Sequence, residues 1–176
     1  MNEHQGDKSV ANQQDSHEGG CACGYVRYRM ISRPLIVHCC HCSRCQRQNG
    51  SSFAVNALIE ADRVQLLSGD VVDVTVPSPS GKGQKISRCP RCQVAVWSYY
   101  LVFLHGVGER VRFIRVGTLD DPARLTPDVH IYTSSKQPWV LLPPDALAVE
   151  EYYVTEDVWP KESLERGSAL LKTVRD

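Results

Sequence analysis

Apolar and polar side chains alternate along much of the chain. In residues 25–31, Val26, Tyr28 and Met30 alternate with Arg27 and Arg29, which predicts a half-buried strand. Residues 53–59 alternate in part. Residues 64–67, 71–76, 94–97 and 111–116 are short β-branched runs of strand character, and 128–133 is a seventh candidate. Residues 77–84 (PSPSGKGQ) read as an exposed loop. Helical periodicity is scarce before residue 155. Beyond it, Pro160 suits the first turn of a helix with Leu164, Leu171 and Val174 on one stripe. The pattern predicts a mainly β domain with a small helical tail.

Residues 1–18 contain three apolar side chains, Met1, Val10 and Ala11, and are expected to be a disordered tail. The chain divides into that tail, a domain over 19–150, and a partly helical extension over 151–176. Its 176 residues carry 20 basic and 20 acidic side chains, so the formal charge is zero. Nucleic-acid binders carry a basic excess, so no nucleic-acid partner is expected. The longest apolar stretch, 94–104, is interrupted by Ser98 and falls short of the ~20 residues of a spanning helix. Residues 1–20 lack an apolar signal core. No membrane partner and a cytoplasmic location are therefore expected.

In a reducing compartment, eight cysteines read as metal ligands rather than disulfides. Seven fall into Cys21-Ala-Cys23, Cys40-His-Cys42-Ser-Arg-Cys45 and Cys89-Pro-Arg-Cys92. Cys21, Cys23, Cys89 and Cys92 make a four-thiolate set of the kind that holds structural zinc, two short turns facing one ion. Cys40, Cys42 and Cys45 offer three thiolates and one open position, the pattern of a catalytic zinc. Two alternatives stay open. His41 or His38 would close the second site as Cys3His. Pairing Cys40 and Cys45 with Cys89 and Cys92 would make a zinc ribbon. Cys39 is left as a buried filler or a redox partner of its neighbours.

Two zinc ions on seven thiolates would bring the formal charge to about −3. Arg44, Arg47, Arg88 and Arg91 flank the clusters and either offset that charge or recognise anions. Arg44 and Arg47 are the candidate substrate-binding pair. A thiol bearing carboxylates would place sulfur on the second zinc and carboxylates on arginine. Lone histidines and tryptophans are read as structural: His130 as a satisfied polar residue and Trp139 as core. Lys136 reads as a surface charge.

The segments CACGYVRYR, CHCSRCQRQNGSSF, CPRC and GTLDDPARLTPDVHIYTSSKQPW resemble the glutathione-dependent formaldehyde-activating (GFA) family, over roughly residues 19–145. That family includes the centromere protein V group and is related to the Mss4-like folds. The resemblance implies a β-tent of several small antiparallel sheets with two zinc sites and a short C-terminal helix. It implies structural zinc on Cys21, Cys23, Cys89 and Cys92, and a second zinc on Cys40, Cys42 and Cys45 where glutathione is engaged. The implied activity is a carbon–sulfur lyase reaction on a glutathione adduct of a small carbonyl compound. Gln93 stands where the family usually has Gly, Arg88 where it has an aromatic residue, and the 99–113 segment is longer than usual.

Two competing expectations accompany this one. The first is a non-enzymatic zinc module that binds a partner or a second copy through Trp159, Leu164 and Leu171. The second is a methionine sulfoxide reductase-like enzyme, for which Cys39 would have to be the free reactive thiol.

Overall fold

The computed structural model describes residues 15–175. Most of the expected tail, residues 1–14, lies outside the described residues. Among the described residues, ten strands form two sheets. A three-stranded antiparallel sheet has the order β1 (His17–Gly20), β2 (Arg27–Met30), β5 (Val64–Ser68). A seven-stranded sheet contains β3 (Ile36–Cys40), β4 (Ala54–Glu60), β6 (Val72–Val76), β7 (Gln84–Arg88), β8 (Ala95–Tyr100), β9 (Val111–Arg115) and β10 (Val129–Ile131). Its order is β10-β3-β4-β9-β8-β7-β6. The expected mainly β fold of antiparallel sheets with a short C-terminal helix is what is found; among the described residues the sheets number two, and β10 alone pairs in parallel, with β3.

All seven expected strands are present, and three more were not anticipated. β1 begins at His17, inside the segment expected to be a tail. Backbone pairing with β2 and ion pairs from Glu18 to Arg29 (2.5 Å) and Arg27 (3.7 Å) hold it, so it needs little apolar burial. β3 is buried at every position, on both faces, and so lacks a period-two signature. β7 (QKISR) is a polar run flanked by strands on both sides.

Strand alternation divides the core in two. Val37, Ala57, Ile59 and Ile114 project from the seven-stranded sheet toward Tyr28, Met30 and Val64 of the smaller sheet. Ile36, Cys40, Leu58 and Val111 project from the opposite face. That second face is covered by the 101–110 connection and by the C-terminal segment carrying α2 (Thr155–Val158) and α3 (Lys161–Arg175).

Pro160 precedes α3 and its carbonyl accepts the first helical bond, from Leu164 N–H. Leu164, Leu170 and Leu171 pack onto the second core beside buried Trp159. These residues therefore bury themselves on their own domain. The Val174 side chain lies outside the described residues. Trp139, expected in the core for its size, is 70% exposed; neighbouring Val140 takes the buried position. Lys136 is half-buried and donates to the Val140 carbonyl at 2.7 Å.

Arg166 pins α3 to the sheet through a two-pronged ion pair with Glu60, at 2.8 and 2.5 Å. The Glu60 side chain is 6% exposed. Burial alone would raise its pKa, but Arg166 and Arg63 outweigh burial and hold it below the ordinary value. The contribution is therefore present above the unfolded carboxylate pKa and lost as pH falls through the lower folded value. Arg166→Ala leaves Glu60 buried with Arg63 alone, 3.4 Å away. The expected loss is about 3 kcal/mol, at the low end for a broken buried pair, measured by urea unfolding at pH 7 and shrinking at acid pH.

Candidate metal centres and the adjoining cavity

Both outer cysteine pairs are turns of β-hairpins. Cys21 to Val26 joins β1 to β2, closed by Cys21 N–H donating to the Val26 carbonyl at 3.0 Å. Cys89 to Val94 joins β7 to β8, closed by Cys89 N–H to the Val94 carbonyl at 3.0 Å. Each turn needs a left-handed residue after its second cysteine. Gly24 supplies it at φ 75° without steric cost, and Gln93 supplies it at φ 62°. That explains why glycine is the usual residue at the Gln93 position. Backbone N–H groups of Val26 and Arg91 point at the sulfurs of Cys21 and Cys89, at 3.3 and 3.4 Å. The Arg91 guanidinium lies over the Tyr25 ring, 3.7 Å from its centroid, linking one turn to the other.

The sulfurs of Cys21, Cys23, Cys89 and Cys92 lie within 4.8 Å of one another. Cys21 and Cys23 are 3.5 Å apart, and Cys23 and Cys89 are 3.7 Å apart. A tetrahedral ion with metal–sulfur bonds of about 2.3 Å sets its sulfurs about 3.8 Å apart, so this quartet fits a thiolate-bound zinc. The zinc-ribbon pairing of Cys40 and Cys45 with Cys89 and Cys92 is not the grouping found.

Cys40, Cys42 and Cys45 form a separate group of three. Cys40 ends β3. Cys42 is the N-cap of α1 (Ser43–Asn49), its sulfur accepting from Cys45 N–H at 3.4 Å, and Cys45 lies one turn on. Gly50 ends the helix in a left-handed conformation. Contacts from Cys40 and Cys45 hold the Cys42 thiol far below its ordinary pKa, and the contact with Cys42 pushes Cys40 up. These contacts favour the thiolate at Cys42, the state in which cysteine binds metal.

Neither histidine completes this trio. His38 Nε2 meets the Tyr153 hydroxyl at 2.5 Å, and that hydroxyl accepts from Trp159 Nε1 at 2.8 Å. Burial lowers the His38 pKa to about 3, so its ring is neutral at pH 7. His41 Nε2 turns to the other face of β3, where it meets Cys39 Sγ at 3.5 Å and His130 Nδ1 at 3.0 Å. These three residues also gather potential ligand atoms. The His41 and His130 ring centroids stand 5.3 Å apart with a 22° interplanar angle. With that separation the two nitrogens face each other nearly head-on along a hydrogen bond, leaving no room for an ion between them. Cys39 is buried, and burial pushes its thiol up to about 12, so it is no activated nucleophile.

A cavity of about 810 Å3 opens over Cys40, Cys42 and Cys45. The sheet beneath it carries a polar row, because His38, Asn56 and Arg115 are register neighbours on β3, β4 and β9. All three are buried and all line the cavity. Arg115 Nη1 donates to Asn56 Oδ1 at 2.6 Å, its Nη2 reaches Gln48 Oε1 at 3.4 Å, and its Nε has no partner. Burial lowers its pKa, and the neighbouring Cys45 and Cys40 sulfurs oppose that shift. A buried guanidinium requires a counter-charge, and the thiolates of the trio supply one.

Among the residues expected to bind substrate, Arg44 lines the cavity and donates to the Pro77 carbonyl at 2.5 Å. Arg47 is exposed and lies outside the lining. Arg88 donates to the Gln93 carbonyl at 2.9 Å and so stiffens its turn. Arg115 and Asn56 were missed. Their signal is a polar side chain at a core-facing position of a strand, Asn56 in residues 53–59 and Arg115 in 111–116.

Gln93→Gly relieves the left-handed strain in the second turn. The expected gain is about 1 kcal/mol, or a Tm rise of roughly 2–4 °C, measured by calorimetry on protein of matched metal content.

Residues 16–135 match the family model described as glutathione-dependent formaldehyde-activating enzyme. A Halomonas elongata protein, to which a glutathione-dependent formaldehyde-activating activity is ascribed by name, is 29% identical over 127 residues, covering 70% of this chain and 78% of that one. A crystal structure of a Rhodobacter sphaeroides protein aligns with a TM-score of 0.41 at 16% identity, over 58% of this chain and 87% of the other, a likeness too slight to bear on function. Among the described residues no helix is long and apolar enough to cross a membrane. Two cysteine groups able to hold metal, set in a mainly β fold, accord with the match over most of the chain: this protein belongs to the glutathione-dependent formaldehyde-activating family.

Proposed function

We propose that this protein is a zinc-dependent enzyme of the carbon–sulfur lyase type, joining glutathione to a small carbonyl compound or releasing the compound from its adduct. The observation that carries the reading is the trio Cys40, Cys42 and Cys45, three thiols without a fourth ligand, at the floor of a cavity. Zinc on this trio would supply an open position that holds a thiol as thiolate at neutral pH. Cys21, Cys23, Cys89 and Cys92 would hold a second, structural zinc.

The remaining work falls to side chains. Arg115 balances the negative charge of the sulfur cluster from below. Arg44 at the rim offers a guanidinium to a glutathione carboxylate. His38, neutral and fixed by Tyr153, adds no competing charge. In the forward direction the glutathione sulfur bonds to the carbonyl carbon, the carbonyl π pair moves to oxygen, and the proton lost by the thiol returns to that oxygen. The family membership and the name of the Halomonas elongata relative support glutathione as the thiol.

Calorimetric titration tests the reading. Protein with two zinc equivalents, confirmed by elemental analysis, is expected to bind reduced glutathione saturably and to ignore S-methylglutathione. Cys42→Ser should lose one zinc and the thiol binding while its circular dichroism stays unchanged. Absence of glutathione binding with both sites full would overturn the proposal. Cys89→Ser, by contrast, should lower Tm, because it opens the link between the two sheets.

A further inference from the structure

The cavity has to seat glutathione as well as the carbonyl compound, and what marks it is the chemistry of its walls. Its walls are aromatic: Tyr100, Phe103, Phe113, Tyr132 and Tyr152 all line it. The rings are held in defined contacts. Phe103 meets Phe113 edge-on at 5.1 Å and 80°, Tyr132 meets Tyr152 at 6.1 Å, and Tyr152 stacks on Tyr153 at 4.7 Å and 12°. Tyr132 adopts a left-handed backbone, φ 56°, a strained choice for a bulky residue. Tyr152 keeps 41% of its surface open beside the cavity it lines. Cys40, Cys42 and Cys45 belong to the same apolar cluster as Phe103, Phe113 and Tyr132, so sulfur and rings share one space.

Two of these walls depend on the C-terminal segment. Phe103 belongs to the long 101–110 connection, which the C-terminal segment braces. Trp159 packs on Phe103 at 6.4 Å, and Arg110 Nη1 donates to the Thr173 carbonyl at 2.7 Å. Tyr152 lies beyond residue 135, where the family match ends.

We infer that the carbonyl compound handled here carries a bulky apolar group, an aromatic aldehyde in preference to formaldehyde, with its ring against Phe103, Phe113 and Tyr152. The inference rests on the thiol-site reading above. Carbon–sulfur bond formation at an aldehyde carbon needs no further reactant: the thiol proton ends on the former carbonyl oxygen. The class meant is an aldehyde that carries an aryl group, on the carbonyl or one methylene away: rings of the wall offer edge and offset contacts to that group, and a one-carbon electrophile makes none of them.

The test compares phenylacetaldehyde with formaldehyde, each with reduced glutathione and zinc-loaded full-length protein, following adduct exchange by two-dimensional exchange NMR. The expected kcat/KM favours phenylacetaldehyde by about tenfold or more after correction for the uncatalysed exchange. Tyr152→Ala should bring the ratio toward unity; Tyr152 is partly exposed, so the fold tolerates its loss. If glutathione binds and formaldehyde is processed as well as or better than phenylacetaldehyde, this inference falls and the thiol-site reading stands. An unchanged ratio in Tyr152→Ala would also overturn it. If glutathione does not bind, both fall.

Discussion

Two hairpin turns that are distant in sequence bring their thiols to one point, and the rest of the architecture is arranged around that meeting. One turn belongs to the three-stranded sheet and the other to the seven-stranded sheet. Their junction fixes how the sheets face each other and closes the apolar space between them. Four unpaired thiols at van der Waals distance gain little from dispersion alone, whereas a shared ion makes each a ligand. The backbone N–H of Val26 aimed at Cys21 favours the thiolate form that such sharing requires.

The opposite face of the large sheet carries the chemistry, and strand alternation decides which residues reach it. Cys40 faces the cavity, and Cys39 faces the other way toward His41 and His130. A one-residue slip of β3 would exchange these roles. Parallel pairing with β10 guards that register, because Ile131 opposes Cys40 and His130 opposes Cys39. Gln46, donating to the His41 and Ser135 carbonyls at 2.6 and 2.9 Å, ties α1 to the segment after β10. The trio is thereby held on both sides.

Much of this was legible in the sequence, and the rest was hidden for identifiable reasons. Cysteine spacing is local, so the pairs Cys21/Cys23 and Cys89/Cys92 and the trio announce themselves. β-branched content exposes β9, and alternation exposes β2 because one of its faces is less buried than the other. It fails for β3, which is buried on both. Arg115 and Asn56 become a pair only through cross-strand register, which links positions 59 apart. The aromatic wall is hidden for the same reason: Tyr100, Phe103, Phe113, Tyr132 and Tyr152 come from several elements, and each alone reads as ordinary core. Trp139 misleads by its size, since its apolar bulk gives no warning that Val140 takes the buried place.

The hairpin origin of the four-cysteine cluster has a consequence for the order in which the chain folds. Each turn is a short-range structure that can close by itself, so each pair of sulfurs is assembled locally and early. Joining the pairs closes a loop spanning 66 positions between Cys23 and Cys89, an entropic cost met only when both sheets are in place. A hairpin on its own presents two thiols and half a coordination shell. Completion of the shell is then coupled to sheet docking, and an ion held by all four sulfurs marks a chain whose two sheets have found each other.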